Sequence, residues 1–295
     1  MEQTAIKPKY PVYVLSKGRF MFGHTIKFLT KDKVDFYLVI EPQEYELYRK
    51  NFPYIKPEKI LTLDKDDGGT EYVRNYILDH SIALGFDRHW QLDDNITDVT
   101  RYHKGERFLC DSNIAFYTVE EYSDRYENVG ISGLNYTMFA VNKCRYLLMN
   151  VHVYSFMLIN NRCGFRFSGS MNLDTDICLQ ALTKGYCTVQ FNHFTASKIQ
   201  TMKVRGGNTD RYKGVGRYAM AKELENNWKQ FVSVSFKNNR PQHHVAWQMF
   251  KHGLKRKPNY EELVNGFAKF KIVLFKTDAS AVKMIIDIDK VKESV

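Results

Sequence analysis

Two acidic clusters in this chain could do chemistry. The first is Trp90-Gln91-Leu92-Asp93-Asp94-Asn95, an apolar run that stops at two carboxylates and a carboxamide. Three oxygen ligands at the end of a buried strand are what a hard divalent cation takes, and such a cation in turn holds a diphosphate. A surface turn is the other reading, because Asp and Asn favour turns. The second cluster is Leu173-Asp174-Thr175-Asp176, which precedes an amphipathic helix from Ile177 to Lys184 that ends at Gly185. There Asp176 reads as an N-cap and Asp174 as a charge near the positive helix end. A carboxylate within reach of a hydroxyl can also act as a general base. Two separated acidic sites suit a division of labour between holding a leaving diphosphate and taking up a proton. They suit one compact two-metal nuclease site less well.

Alternating strands and helices must position these groups. Pro11 to Leu15 is a short apolar, β-branched and aromatic run that ends in Ser16-Lys17-Gly18-Arg19, a basic loop of the kind that meets nucleotides at the C-terminal edge of an α/β sheet. A helix near Thr25 to Thr30, a strand from Asp35 to Ile40 closed by Glu41-Pro42, a helix from Glu44 to Lys50 and a strand from Lys59 to Leu63 follow. This order predicts parallel βαβ units. After the polar loop Asp64 to Gly69, Thr70 reads as the N-cap of a helix that carries Arg74-Asn75 and leads to the strand at Trp90. Downstream, Ser112 to about Tyr126 reads as a helix capped by Ser112 or Asp111, and Val129 to Tyr136 as a strand with close-packed glycines. Arg145 to Asn160 reads mostly as core strands, in which Tyr146, His152 and Tyr154 could face a sugar or base. Cys187 to Phe191 reads as a strand that delivers His193, a possible third metal ligand.

The chain is long enough, at 295 residues and 44% hydrophobic, for one large or two modest domains with a sizeable core. Its formal net charge of +10 suits a polyanionic partner, and equally suits solubility alone. Lys198 to Arg217 concentrates cations and glycines, including Lys203, Arg205, Gly206, Gly207, Asn208, Arg211 and Lys213; such a loop can close over a diphosphate or receive a polynucleotide. A helix from Tyr218 to about Gln230 and a strand from Phe231 to Phe236 come next. Arg240, Trp247, Lys255 and Arg256 belong to a second basic and aromatic region, in which Val245 to Lys251 reads as a short helix. Five cysteines, odd in number and scattered, read as reduced buried thiols. With neither a signal peptide nor a membrane-length apolar run, the expectation is a soluble cytoplasmic protein; oligomeric state leaves no signature.

Taken in order, Gly69, Arg74-Asn75 and Leu92-Asp93-Asp94-Asn95 resemble the nucleotide-binding half of GT-A glycosyltransferases. In that family a Gly and an Arg-Asn pair precede a strand ending in an Asp-x-Asp type motif. Asn95 stands where the family commonly has Asp; its carbonyl oxygen can ligate with one negative charge fewer. Asp174-Thr175-Asp176 is similar to the acidic helix start that supplies the family's catalytic carboxylate, which assigns the base role to Asp174 with Asp176 as the alternative. The Val14 to Arg19 start and the Gly206-Gly207-Asn208 loop narrow the resemblance to the TET/JBP-associated glycosyltransferases, a group that includes bacteriophage enzymes glycosylating hydroxymethylated pyrimidines in DNA. The resemblance implies an α/β, Rossmann-like GT-A fold with a mixed, mostly parallel sheet flanked by helices. Residues 1–217 would form the catalytic domain and 218–295 a basic C-terminal extension packed on it. The donor would be a UDP-sugar, met by Ser16, Lys17, Arg19, Glu41, Gly69, Arg74, Asp93 and the Gly206-Gly207-Asn208 loop. Mn²⁺ or Mg²⁺ would sit on Asp93, Asp94, Asn95 and His193. The acceptor would be DNA bearing 5-hydroxymethylcytosine or a related base, met by Lys203, Arg205, Arg211, Lys213, Arg217, Arg240, Lys255 and Arg256, and the compartment would be the host cytoplasm for a phage-encoded chain. A non-catalytic nucleic-acid-binding protein and a metal-dependent nuclease or nucleotidyltransferase are the rival readings.

Overall fold

Short buried apolar runs separated by helices build the first half of the chain. In the computed structural model, which describes residues 6–103, 106–140, 145–199 and 216–266 and the backbone of 271–276 and 283–287, these are β1 (Val12–Leu15), α1 (His24–Lys31), β2 (Tyr37–Ile40), α2 (Tyr45–Asn51), β3 (Ile60–Thr62), α3 (Gly69–Ala83) and β4 (Arg88–Asp93). Then come β5 (Ile96–His103), β6 (Glu106–Leu109), α4 (Ser112–Asp124), β7 (Val129–Tyr136), β8 (Leu147–Met149), β9 (Phe156–Asn160), α5 (Leu173–Thr183) and β10 (Cys187–Lys198). The C-terminal part adds α6 (Arg217–Asn227), β11 (Val232–Lys237), β12 (Arg240–Val245), α7 (Tyr260–Asn265), β13 (Lys271–Lys276) and β14 (Lys283–Asp287).

One 12-stranded sheet runs in the order β14-β13-β6-β5-β10-β7-β9-β4-β1-β2-β3, with β8 paired to β10. Strands β1 to β4 are mutually parallel. Because β9 is antiparallel to both β4 and β7, β7 points the same way as β4, and β10 is parallel to β7. The C-terminal ends of β1 to β4, β7 and β10 therefore share one edge. The flanking pairs β10–β5, β5–β6, β6–β13 and β13–β14 are antiparallel.

Side-chain alternation along the strands divides the core between the two faces of the sheet. Val12, Val14, Trp90 and Leu92 pack with Ile26 and Leu29 of α1, Tyr48 of α2 and Phe116 of α4. Tyr13 and Val39 face the opposite side and meet Ile77 of α3. Helix α5 buries Ile177, Cys178 and Ala181 against Ile131 and Ile159. Its Leu179 and Leu182 pack with Leu224, Val232 and Phe250, which attaches α6 and the β11–β12 hairpin to the sheet domain. Gly133 marks the closest approach of β7 to β9, where a Cβ would overlap the Phe156 carbonyl oxygen.

Five elements differ from the sequence expectation. Helix α3 starts at Gly69, so Thr70 lies inside it and does not cap it. Helix α5 starts at Leu173, because Asn172 turns into the left-handed region (φ 55°) and the helix begins there; Asp176 is thus in the first turn and is not the N-cap. Strand β5 and strand β12 have no counterpart in the sequence reading, and the segment expected as a helix from Val245 is a single 3-10 turn, Trp247–Met249. Asp111, one of the two expected caps of α4, accepts the Asn113 N–H at 2.9 Å. Cys110, Cys163, Cys178 and Cys187 are buried free thiols, and Cys144 lies outside the described residues. Among the described residues no helix is long and apolar enough to cross a membrane.

Candidate active site

Parallel register brings the motifs of the first half together. Leu15 pairs with Asp93 and Val39 pairs with Leu15, so Ser16-Lys17, Glu41 and Asp93-Asp94 emerge side by side. They line a cavity of about 650 Å³ together with Arg19, Gly69, Arg74 and Asn95. Its remaining walls include Tyr136 from the end of β7, Lys198 from the end of β10, His152, Tyr154, Asp174 and His243 of β12. The acidic cluster near 93 and the one near 174, remote in sequence, thus face one space.

Along the strand edge each carboxylate is held by protein cations. Gln91 points toward α3 and accepts from Arg74 at 3.0 Å, which aims the other Arg74 nitrogen at Asp93 Oδ1 at 2.9 Å. Lys198 Nζ donates to Asp93 Oδ2 at 3.0 Å and to Tyr136 Oη at 3.1 Å. Burial works against ionisation of Asp93, but Lys198 and Arg74 outweigh it and hold the carboxyl below its ordinary range. The same contact, with Tyr136, raises the Lys198 ammonium above its ordinary range although burial opposes this. Asp94 accepts from Ser16 Oγ at 2.6 Å and pairs with the Arg19 guanidinium. Here burial wins, and the Asp94 carboxyl is raised despite Arg19. Lys17 bridges Glu41 Oε1 (2.8 Å) and Asp67.

On the far side Asp174 sits in the first turn of α5, with Oδ1 accepting the Thr175 N–H at 2.9 Å and Oδ2 3.2 Å from His152 Nε2. Burial would raise its carboxyl; His152, with Arg74 and Lys198 beyond, reverses the sign and depresses it strongly. It is therefore ionised, and a weaker base than an ordinary carboxylate. Asp176 is turned away from the cavity lining and is 3% exposed. It accepts from Trp228 Nε1 (2.7 Å), Gln180 Nε2 (2.8 Å) and Ser168 Oγ (3.0 Å), which ties α5 to α6.

The structure separates other residues that the sequence groups together. His193 lies in the middle of β10, which runs on to Lys198; its ring meets Tyr146 edge-on at 3.6 Å, and burial beside Arg101 and His103 lowers its pKa to about 3. It does not line the cavity. Lys255 and Arg256 sit beside Asn128 and Tyr126, at the start of β7 and hence at the opposite sheet edge, roughly 20 Å from its other end. Arg240 begins the hairpin strand that carries His243 to the cavity, and Arg217 begins α6. Lys203, Arg205, Gly206, Gly207, Asn208, Arg211 and Lys213 lie outside the described residues.

The donor set does not fit a divalent cation. Both oxygens of Asp93 and both of Asp94 already accept from Arg74, Lys198, Arg19 or Ser16. Within the Asp93-Asp94-Asn95 triplet only Asn95 Oδ1 is buried without a partner among the described residues, while its amide nitrogen donates to the Ile199 carbonyl at 3.0 Å. Among the described residues no three His, Cys, Asp or Glu side chains converge as a metal site.

The profile of a protein family described as TET-Associated Glycosyltransferase matches residues 10–207. The chain belongs to that family. The TET-associated glycosyltransferase match takes in β1 to β10 and every cavity residue named above except His243. The chain is accordingly a glycosyltransferase, with an α/β fold built on one mixed sheet. Among solved structures it is similar to GalNAc-T7 with UDP, GalNAc and Mn²⁺ (8% identity, TM-score 0.45, covering 97% of this chain and 68% of that one). It is also similar to mannose-1-phosphate geranyltransferase from Thermus thermophilus (10% identity, TM-score 0.29, 75% and 63% covered). No curated protein matches the chain significantly.

Sequence reasoning named Asp93, Asp94, Arg74, Ser16, Lys17, Arg19, Glu41 and Asp174, all of which meet at the cavity. It gave no role to His243 or Tyr136 and treated Lys198 only as the start of a basic loop. Each of these is placed by tertiary pairing and has no local motif; the one available signal was the position of Lys198 just after an extended β-rich run.

Proposed function

We propose that the protein transfers the sugar of a UDP-sugar to the hydroxymethyl oxygen of a modified pyrimidine in DNA, 5-hydroxymethylcytosine first among these. The observation that carries the reading is the single cavity shared by a cation-rich strand edge and the Asp174 carboxylate. The strand edge suits a nucleoside diphosphate, with Lys17 and Glu41 at its nucleoside end and Arg19, Arg74 and Lys198 around Asp93 and Asp94 at its phosphate end. Asp174 takes the proton of the acceptor hydroxyl as that oxygen bonds to sugar C1, and the bond from C1 to the diphosphate breaks with its electron pair on the leaving oxygen. His152 holds Asp174 in place through the 3.2 Å contact.

Residues 1–217 supply the donor site and the base. Residues 218–295 supply the far wall through His243 and a surface on which Tyr218 and Phe236, 50% and 64% exposed, stack at 5.8 Å. Exposed aromatics beside cations can stack bases and track a phosphate backbone, and the net charge of +10 agrees with a DNA acceptor. The test is incubation with hydroxymethylated DNA and a panel of UDP-sugars, with Mn²⁺ and with chelator, followed by nucleoside mass spectrometry. A hexose- or N-acetylhexosamine-sized mass gain is expected; no gain with any sugar in either condition removes the proposal.

A further inference from the structure

We infer that Lys198 supplies the fixed positive charge for the donor's diphosphate, so that nucleotide binding here needs no divalent cation; this rests on the nucleotide-donor reading above. The Lys198 ammonium is 3.0 Å from Asp93 Oδ2 and lies at the cavity, with its side chain 12% exposed. Tyr136 Oη and Asp93 fix it from two sides. A divalent cation on Asp93 would have to share its oxygens with this ammonium and the Arg74 guanidinium, and one on Asp94 with the Arg19 guanidinium. Such sharing sets like charges a few ångströms apart in a partly buried place, which is costly.

Charge makes the same point. Arg19, Arg74 and Lys198 bring three positive charges against Asp93 and Asp94, so both carboxylates are already paired with protein cations before any ligand arrives. Carboxylates paired in this way attract a further cation less than bare ones do, while the Lys198 ammonium lies at the cavity where it can meet a phosphate anion. Lys17 is occupied at the other end of the cavity by Glu41 and Asp67, and Asp174 contacts His152 across from the cluster. The strand geometry explains why a lysine can do this. Strand β10 does not stop at Phe191 but continues, with a register shift against β7, until Lys198 pairs with Ile96 at the start of β5 and its ammonium reaches Asp93. Lysine binds phosphate as a compact point charge and needs no bidentate fit, so it can serve the diphosphate while remaining near Asp93.

The test uses the intact protein and UDP as probe in isothermal titration calorimetry, first with EDTA and then with millimolar Mn²⁺. UDP affinity within about threefold in the two conditions is the expected result. Affinity that is lost in EDTA and restored by Mn²⁺ overturns the inference while leaving the donor site standing. No UDP binding in either condition overturns the donor reading and the inference with it. Lys198→Met, checked for folding by its thermal transition, should weaken UDP at least tenfold, leave uridine unchanged, and be restored largely by Lys198→Arg. An unchanged ratio of UDP to uridine affinity in Lys198→Met is an overturning result. If that variant does not fold, the EDTA comparison on the native chain still decides.

Discussion

Asp174→Asn keeps the shape of the side chain and removes the proton acceptor. The Thr175 N–H can still donate to the remaining oxygen, while the charged contact to His152 is lost. Because Asp174 is about one-third exposed at its side chain, that contact adds little to stability, at most about 1 kcal/mol. Its kinetic effect is larger: a positioned general base contributes roughly 10²–10⁴-fold, about 3–5 kcal/mol of barrier. His152, Arg74 and Lys198 depress the proton affinity of Asp174, which places the expectation near the lower end, a fall in kcat of about 10²–10³-fold. The assay is sugar transfer to hydroxymethylated DNA under saturating donor, with UDP affinity measured in parallel and expected to stay within a few-fold. Asp176→Asn is the internal control. Its carboxylate accepts three buried hydrogen bonds, and an amide must turn an N–H against at least one of those donors, at about 2–4 kcal/mol of stability. It should lower the urea midpoint and spare turnover of the folded fraction. Asp174→Asn with kcat within threefold of the native chain would refute the assignment, as would loss of chemistry in folded Asp176→Asn alone.

Glu120, beneath Trp90, has its carboxyl pushed by burial from 4.5 up to about 7. Between those values the unfolded chain has lost the proton that the folded chain keeps, so stability is greater below pH 4.5 and falls by roughly 3 kcal/mol as pH rises to about 7. Urea unfolding at pH 5 and 7.5 should show this loss, and Glu120→Gln should abolish its pH dependence; an identical slope in the variant would contradict it. Gly133→Ala should prevent native folding, because its Cβ would overlap the Phe156 backbone in the middle of the sheet; a native-like thermal transition would argue against the described β7–β9 approach. Replacing Tyr218 and Phe236 together by Ala should weaken DNA binding at least tenfold in fluorescence anisotropy, since stacking contributes about 1–3 kcal/mol per base, with UDP affinity unchanged. DNA affinity within twofold of the native chain would place the acceptor elsewhere.

The parts of the fold that sequence reveals are those whose cause is local. Strands β1, β2 and β7 are buried apolar runs that cannot be anything else at their length, and each lies within a residue or two of its expected bounds. The start of α5 is hidden because it depends on one backbone angle at Asn172, which no periodicity reports. Strand β12, Arg-Pro-Gln-His-His-Val, has no apolar alternation to announce it. Asn238 and Asn239, both left-handed at φ 50° and 57°, form the tight turn that pairs it with β11, and that Asn-Asn pair was the available sign. The site follows the same rule. Asp93, Arg74 and Asp174 were legible as motifs, whereas His193 was misplaced because the length of β10 is fixed by its partners β5 and β7 and not by its own polar residues.

The walls of the cavity come from segments with different histories of constraint. The edge around Asp93 is built by strands inside the span that matches the family, and any change there disturbs a buried charge network shared by several strands. His243 comes from a two-stranded ribbon beyond that span, attached through one apolar cluster and a tight turn. The ribbon can be exchanged, lengthened or re-sequenced while the strand edge stays intact. Changes in the ribbon would thereby alter what faces Asp174 without rebuilding the strand edge around Asp93, which makes the ribbon the place to vary that wall of the cavity.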